Sequence, residues 1–367
     1  MPEKNKLKIG IDASRAFVKE RTGIEEYSYQ VIKHLRKYLG EHQVILYTRF
    51  GGDEQVDFEL PKKWQVKILP WKYFWTQGGL SWEMLVRPMD ILFVPAHTLP
   101  FIHPRRSYVT VHGLEYEFSP ESYSWQSRLF HRFFIKRSCR WAEKVIAVSE
   151  KTKKDLVNLY KVREEKIEVI GNGFAINLVG DNNSSVDLEA GRFLFYLGRL
   201  EERKNIVGIV EAFDILKEEY GYEGKLLLGG GKGHGYDKIA GVIEKSKYRN
   251  DIVELGFVSN GDRFKYYRQA DAFLFPSFFE GFGIPILEAQ SVGTPVITSN
   301  VEPLKGVVGD KRVIVNPHRP AEIAQKVNEI LKDEKLRKDI IEKGLKNTQR
   351  FSWDKTAEKI GRVLLEK

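Results

Sequence analysis

The stretch FPSFFEGFGIPILEAQ, residues 275–290, joins an apolar segment to a helical one through a turn with two glycines. Proline is favoured at the first position of a helix, where its missing N–H leaves no hydrogen bond unmade, so Pro285 marks a helix start. The pattern predicts a strand over AFLFPS (272–277), a turn over 281–284 and a helix from about 285 to 292. Such a helix directs unpaired N–H groups out of its first turn, which makes a site for an anion.

Two glutamates flank this turn. Glu280 lies just before it, and we expect Glu288 in the first turn of the helix. A carboxylate accepts hydrogen bonds from two neighbouring hydroxyls of a sugar or a ribose. Two carboxylates beside an anion site therefore fit a sugar joined to a phosphate. The alternative is a glycine-rich turn in which Glu288 only complements the helix dipole, and the spacing alone leaves both interpretations open.

Short apolar runs alternate with helical patterns along the whole chain, which is typical of parallel sheets with crossover helices. The strand-like runs before residue 175 are LKIGID (7–12), QVILYT (43–48), QVKIL (65–69), ILFVP (91–95), SYVTVHG (107–113), KVIAVS (144–149) and KIEVIGN (166–172). Those after residue 190 are FLFYLG (193–198), KLLLGG (225–230), DIVELG (251–256), AFLFPS (272–277) and PVITS (295–299). The polar, turn-rich segment GDNNSSVDLEAG (180–191) separates the two sets and is the expected linker. We therefore predict two Rossmann-like α/β domains, residues 1–182 and 186–350, whose sheets face a cleft.

The composition favours a protein that is not inserted in a membrane and that meets an anionic partner. The chain has 367 residues and a net charge of +9, and residues 1–182 hold 29 Lys and Arg against 22 Asp and Glu. Ordinary solubility charge is the alternative explanation. No apolar run approaches the roughly 20 residues of a membrane span, and the N-terminus shows no signal peptide. The single cysteine, Cys139, fits a reducing compartment, so we expect a cytoplasmic protein.

The segment SWQSRLFHRFFIKRSCRW (124–141) interleaves aromatic residues with arginine and lysine. A basic aromatic helix can lie on an anionic bilayer, and the alternative is a crossover helix whose aromatic residues belong to the core. No known nucleic-acid motif accompanies it, so nucleic acid is not an expected partner. The glycine-rich loop LGGGKGHG (228–235) invites comparison with a dinucleotide fingerprint. It does not follow the first strand of its domain, where that fingerprint belongs.

Taken together, these motifs resemble the retaining glycosyltransferases of the GT-B fold, in particular family 4, over nearly the whole chain. Glu280 and Glu288 match the E-x7-E motif of that family. LGRLEERKN (197–205) is similar to its donor-diphosphate segment, and GIDAS with TGIEEYSYQVIKHL is similar to its first strand, glycine loop and first helix. VPAHTLP and VTVHGLEYEFSPESY resemble acceptor-side segments of bacterial mannosyltransferase-like members. The last segment, 352–367, resembles the helix that returns to the N-terminal domain.

The resemblance implies a role for each matching residue. Arg199 and Lys204 would bind the donor diphosphate and stabilise it as it leaves. Glu280 would orient the donor sugar, Glu288 would bind the ribose, and His112 would lie beside the reacting carbon. These five include the implied catalytic residues, which are His112, Glu280, Arg199 and Lys204. The remaining implied donor contacts are Gly23, Phe257, Val258, Gly281, Phe282, Gly283 and Ile284.

On the acceptor side, the resemblance implies contacts from His97 and Glu115. This chain departs from the family pattern at two positions: Gly23 follows Thr22 where the family commonly has two glycines, and Gly113 follows His112 where an aspartate is common. There is no D-x-D motif and no Cys/His cluster, so we expect no metal and no cofactor, with cationic side chains doing the electrostatic work of a metal.

The implied reaction moves a hexose with retention from a nucleoside-diphosphate sugar to a hydroxyl of a glycan or lipid-linked acceptor. The leaving phosphate, rather than a protein base, would take the acceptor proton. The mannosyltransferase-like segments favour GDP-mannose as the donor, with UDP-sugars as the next choice. A non-catalytic nucleotide-sugar-binding protein of the same fold is the main rival, since fold does not fix function, and an NAD-dependent oxidoreductase is a more distant one.

Overall fold

The computed structural model describes residues 6–19, 21, 23–118, 120–174, 191–259 and 261–366. It divides into two compact units. The first contains Met1–Glu117, Ser124–Gly173 and Phe351–Lys367, and the second contains Phe118–Tyr123 and Phe174–Arg350. The expected linker at 180–191 lies outside the described residues, except for Gly191.

The first unit is built on a seven-stranded parallel sheet. Its strands are β1 (Lys8–Asp12), β2 (Gln43–Thr48), β3 (Trp64–Ile68), β4 (Ile91–Val94), β5 (Arg106–Val111), β6 (Lys144–Ala147) and β7 (Ile167–Val169). They lie in the order β3-β2-β1-β4-β5-β6-β7, so the strand order reverses beside β1. Ligands of doubly wound sheets bind at the carboxyl ends of the strands at such a reversal.

The helices of the first unit cover this sheet, and the chain's last helix is one of them. They are α1 (Gly23–Leu39), α2 (Ser81–Val86), α3 (Glu115–Phe118), α4 (Trp125–Trp141), α5 (Glu150–Tyr160) and α13 (Trp353–Leu365). The side chain of Ser352 caps α13 by accepting from the N–H of Lys355. Trp353 then packs against Tyr27 of α1, with ring centroids 5.9 Å apart. Buried apolar residues on α13 join the core of α1, β1 and β2, which confirms the expected return of this helix to the N-terminal domain.

The second unit repeats the arrangement with six parallel strands in the order β10-β9-β8-β11-β12-β13. The strands are β8 (Phe193–Leu197), β9 (Lys225–Gly229), β10 (Ile252–Gly256), β11 (Ala272–Phe275), β12 (Val296–Ser299) and β13 (Ile314–Val315). The helices are α6 (Ile206–Tyr220), α7 (Tyr236–Lys245), α8 (Arg263–Gln269), α9 (Ile284–Ser291), α10 (Leu304–Val308), α11 (Pro320–Lys332) and α12 (Glu334–Thr348). The strand order reverses beside β8, which pairs with β11 through Ala272↔Leu194 and Phe273↔Phe195.

All of the predicted strands are present, and the α/β class of the GT-B type is confirmed. One expectation was wrong. Glu288 is the fifth residue of α9 rather than a first-turn residue, because the helix already begins at Ile284. Of the two interpretations of α4, the one that places its aromatic residues in the core does not hold for Trp125, Phe130 and Phe133, which are 70%, 50% and 47% exposed. None of the helices in the described part of the chain combines the length and apolar composition that crossing a bilayer requires.

Candidate functional site

The strongest feature of the second unit is a buried ion pair at the carboxyl ends of β8 and β11. Lys204 Nζ lies 2.5 Å from Glu280 Oε1, and both residues are less than a tenth exposed. The hydroxyl of Ser277 donates to the same carboxylate oxygen at 2.9 Å. Two residues that are 76 positions apart are therefore brought together at the reversal of strand order, as expected for a ligand site of this architecture.

Backbone and side-chain contacts hold the two loops that carry this pair. Asn205 has a left-handed backbone with φ of 60° and caps α6 by accepting from the N–H of Gly208. Its amide nitrogen donates to the carbonyls of Pro276 and Pro317. The N–H of Phe278 donates to the carbonyl of Arg203 at 2.9 Å. Because these hydrogen bonds tie the Lys204 loop to the segment after β11, the position of Lys204 relative to β11 is set by the fold.

A second cation, Arg203, belongs to this cluster and was missed by sequence reasoning. Its guanidinium lies 2.7 Å from Glu201 and 3.7 Å from Glu280. Burial lowers the pKa of the Lys204 ammonium, and the neighbouring Glu280 opposes that shift. Two cations and two carboxylates therefore share one buried region, and a bound diphosphate would compete with the carboxylates for the cations.

Arg199, the other predicted diphosphate residue, is exposed. Its loop is held beside the loop after β9, since the N–H of Leu200 donates to Gly231 O and the N–H of Gly233 donates to Leu200 O. A side chain at Gly230 would meet the carbonyl of Gly198 at 2.0 Å, so this close approach requires glycine. Among the described residues, Arg199 makes no ion pair with Glu280, in contrast to Lys204.

The helix α9 begins beside the ion pair with an uncapped turn. Gly283 adopts φ of 109° at the N-cap position, and no side chain accepts from the first N–H groups. Phe282 is buried, and with Gly281 it completes the turn that the sequence predicts over 281–284. Anions are stabilised at such a helix end. The expected anion site and the donor contacts of Gly281, Phe282, Gly283 and Ile284 stay predictions.

Three further predicted donor residues are Glu288, within α9, and Phe257 and Val258, after β10. Glu288 is buried and bonded to α8, with Arg263 3.1 Å from Oε1 and the Tyr267 hydroxyl 3.1 Å from Oε2. Phe257, immediately after β10, is 81% exposed, and Val258 beside it is half-buried. An exposed aromatic ring at the carboxyl edge of a sheet can stack on a nucleobase.

In the first unit, His112 follows β5 and is buried against His97, with ring centroids 5.2 Å apart. Its Nε2 lies 2.8 Å from the carbonyl of Pro95. Because a carbonyl only accepts, Nε2 carries the proton and Nδ1 holds the lone pair. Burial lowers the pKa of His112 to about 4, so the ring is neutral at pH 7.

His97 has the more unusual geometry of the two histidines. Its backbone is left-handed with φ of 59°, which is uncommon for a residue with a side chain and marks positions under functional constraint. Burial, together with His112, His131 and Arg15, lowers its pKa well below the usual value. Its Nδ1 is buried without a hydrogen-bond partner among the described residues, so a ligand hydroxyl would satisfy it.

The other predicted residues of the first unit lie near the ends of helices. Gly23 starts α1, and the first turn of that helix already carries Glu25 and Glu26, which pair with Arg15 and Arg21. The Glu115 carboxylate folds back against Gly113, because a Cβ at Gly113 would meet Glu115 Oε1 at 2.5 Å. Within the described residues, no group of three or more His, Cys, Asp and Glu side chains is arranged to hold a metal ion.

Comparisons with known proteins agree with this architecture. The family model described as "Glycosyl transferases group 1" matches residues 182–347, and the model described as "Glycosyltransferase Family 4" matches residues 21–178. The chain belongs to glycosyltransferase family 4.

Curated relatives are bacterial and archaeal glycosyltransferases. O-antigen chain mannosyltransferase B of Escherichia coli is 36% identical over 162 residues, which are 44% of this chain and 42% of that protein. O-antigen chain mannosyltransferase RfbU of Salmonella typhimurium is 25% identical over 313 residues, covering 82% of this chain and 84% of that one. The first of these matches spans less than half of the relative's own length.

Solved structures share the fold at low sequence identity. Anabaena HepE in complex with UDP-glucose superposes with a TM-score of 0.74 at 18% identity, over 98% of this chain and 99% of that one. WaaG, a glycosyltransferase involved in lipopolysaccharide biosynthesis, gives a TM-score of 0.67 at 15% identity, over 98% of this chain and all of that one. These matches establish the shared fold.

Lys204→Ala should reduce both stability and affinity for a nucleoside diphosphate. Removing the counter-charge of buried Glu280 costs about 3–5 kcal/mol of unfolding free energy, and the loss of a charged contact to the diphosphate costs about 1.5–3 kcal/mol of binding. Adding Glu280→Gln should recover stability but not affinity. Denaturant unfolding and calorimetry separate the two effects, with Lys247→Ala, in an exposed ion pair, as control. A folded double variant that binds nucleoside diphosphate as tightly as wild type would refute this assignment of Lys204.

Protonation of His112 should make the protein less stable in acid. Its folded pKa of about 4 lies below the unfolded value of about 6.5, so the unfolded chain binds more protons between these values. The stabilisation is complete above pH 6.5 and is lost as pH falls towards 4, which amounts to about 2.5 kcal/mol between pH 7 and 4.5. His112→Asn should remove that part of the acid loss in urea unfolding, whereas exposed His234→Asn should not. If His112→Asn loses as much unfolding free energy in acid as wild type does, His112 is not held neutral.

Proposed function

We propose that this chain is a retaining, metal-independent hexosyltransferase that uses a nucleoside-diphosphate sugar. The observation that carries the proposal is the buried Lys204–Glu280 pair beside the uncapped start of α9. A cation and a helix N-terminus suit a diphosphate, and a carboxylate at the same place suits sugar hydroxyls. In this proposal Lys204, Arg199 and the N–H groups of α9 stabilise the leaving diphosphate, while Glu280 orients the sugar.

The donor we propose is GDP-mannose, with a glycan or lipid-linked hydroxyl as the acceptor. Two O-antigen mannosyltransferases among the relatives support mannose, whereas the HepE complex with UDP-glucose favours a UDP-sugar as the second candidate. On the acceptor side, we propose that neutral His112 lies by the anomeric carbon. We further propose that His97 and Glu115 meet the acceptor, since the buried Nδ1 of His97 offers a hydrogen bond to a hydroxyl.

Turnover distinguishes this proposal from a non-catalytic nucleotide-sugar-binding protein of the same fold. We expect slow release of nucleoside diphosphate from GDP-mannose in a panel of nucleotide sugars, and we expect it to persist in EDTA because cations of the chain stabilise the leaving group. Glu280→Gln should lower the rate by about tenfold or more, as expected for a lost charged hydrogen bond. Arg249→Met, at a partly exposed arginine of the same unit, serves as the control.

Two outcomes of that panel would count against the proposal. Tight binding without turnover, with any donor and with glycan acceptors added, would favour the non-catalytic rival. Turnover that EDTA abolishes and magnesium or manganese restores would refute metal independence.

We also propose that the chain works in the cytoplasm and contacts the anionic inner face of the membrane. The support is an apolar, basic surface of the first unit, which we call the aromatic face and define by residues 71–87, 99–106 and 124–141. Its three segments are joined by contacts, since Gln77 donates to Leu99 O and the rings of Phe101 and Phe134 lie 5.8 Å apart. Its exposed apolar residues are Trp71, Tyr73, Phe74, Trp82, Leu85, Val86, Phe101, Ile102, Trp125, Leu129, Phe130 and Phe133.

The charge of the aromatic face also suits an anionic bilayer. The segments 99–106 and 124–141 contain no Asp or Glu. In 71–87 the one carboxylate, Glu83, is buried and paired with Lys67 and Arg87. Aromatic side chains and cations together are the groups that settle at a bilayer interface.

Charge reversal on α4 tests this membrane contact. Arg137 and Arg140 are exposed, whereas Arg132 is bonded to Glu117 and its replacement would break an internal pair. Each surface cation contributes about 1 kcal/mol to binding an anionic bilayer, so Arg137→Glu with Arg140→Glu should lower vesicle partitioning by at least about thirtyfold. Co-sedimentation at low and high salt measures it, with Lys338→Glu and Lys346→Glu on α12 as the matched control. If wild-type protein does not bind anionic vesicles at low salt, the proposed membrane contact is refuted.

A further inference from the structure

Glu288 is held from two sides by the neighbouring helix α8. The guanidinium of Arg263 lies 3.1 Å from Oε1, and the Tyr267 hydroxyl lies 3.1 Å from Oε2. Each carboxylate oxygen is therefore contacted by a side chain of α8. Since the Glu288 side chain is almost fully buried, its carboxylate needs a counter-charge to remain ionised, and Arg263 supplies one.

Tyr267 is a rigid support for this arrangement. It is fully buried, and its ring packs edge-on against Phe195 and Phe273, with centroids 5.4 and 5.0 Å away. Its backbone carbonyl accepts from the hydroxyl of Thr294. Burial and the adjacent carboxylate raise the pKa of the Tyr267 phenol well above its ordinary value, so the hydroxyl stays protonated and donates to Glu288.

Arg263 also has a donor that the described residues do not use. Its Nε is buried without a hydrogen-bond partner in the described part of the chain, and buried N–H groups in native proteins are nearly always satisfied. A hydroxyl can accept from this N–H while it donates to a carboxylate. An arginine and a carboxylate side by side are thus complementary to two neighbouring hydroxyls.

We propose that Arg263 and Tyr267 are positioning residues that orient Glu288 towards the vicinal hydroxyls of the donor ribose, and that they make the site select ribonucleotides over deoxyribonucleotides. The inference rests on the proposed function, in which Glu288 binds that ribose. It adds a source of specificity in α8, a helix that contributes none of the residues implied by the family resemblance.

Calorimetry with GDP and UDP, each beside its 2′-deoxy counterpart, tests the inference. Wild-type protein should prefer the ribose form by about tenfold to a hundredfold, the range expected for one hydrogen bond to a charged group. Arg263→Met should reduce this preference to within about threefold, and Tyr267→Phe should reduce it in part. Arg263→Lys should restore part of the preference, because it keeps the charge but not the planar fork. Arg249→Met, in an exposed ion pair of the same unit, is the matched control and should keep the full preference.

The possible results separate this inference from the proposed function. If wild type binds GDP or UDP and Arg263→Met weakens the ribose and deoxyribose forms equally, the positioning role is refuted while the donor site stands. The same holds if both α8 variants keep the wild-type preference. If wild type binds neither nucleotide, the proposed donor site fails, and the inference fails with it. Thermal unfolding of each variant without nucleotide identifies any loss that is due to misfolding, and the Tyr267→Phe variant, which removes a single oxygen, remains informative in that case.

Discussion

The buried pair of Lys204 and Glu280 is the interaction on which the second unit's chemistry depends. Moving two charges out of water costs several kcal/mol each, and their attraction offsets this only with good geometry and further hydrogen bonds. Ser277 supplies one such bond to Glu280. A buried pair of this kind is weak evidence for stability alone, so its presence at the reversal of strand order favours a ligand-binding role.

Hydrogen bonds tie the loops around this pair to one another. Asn205 donates to the carbonyls of Pro276, after β11, and Pro317, after β13. These bonds fix the loop after β8 against both of those segments. With the loops fixed, the cation, the carboxylate and the start of α9 keep their mutual positions before any ligand arrives. Groups that are pre-organised in this way need little rearrangement to stabilise developing charge on a leaving diphosphate.

Much of the fold follows from sequence pattern, because the strands are apolar runs bounded by turn residues. The start of α9 could be predicted from the sequence, because Pro285 and two glycines mark it. The strand β13 could not be predicted, because Ile314–Val315 is too short for a periodic signal. The exposure of three aromatic residues of α4 could not be predicted either. A helix with aromatic and basic residues on every side does not show which face is buried.

Contacts between distant residues were the part of the site that sequence could not predict. Arg199, Lys204, Glu280 and Glu288 follow from motifs, but motifs do not say that Lys204 and Glu280 meet. Arg203 lies in a run of charged residues that is typical of a solvated turn, and only the fold brings it to Glu280. Arg263 and Tyr267 have the four-residue spacing of one helix face, yet only the packing of α8 on α9 directs them to Glu288.

A crystal structure of this protein with a bound nucleoside diphosphate is the most direct test of the central claim. The account predicts that the two phosphates contact Lys204 Nζ and the first N–H groups of α9, with the ribose at Glu288. Phosphates bound elsewhere in the second unit, with Lys204 still bonded only to Glu280, would contradict it.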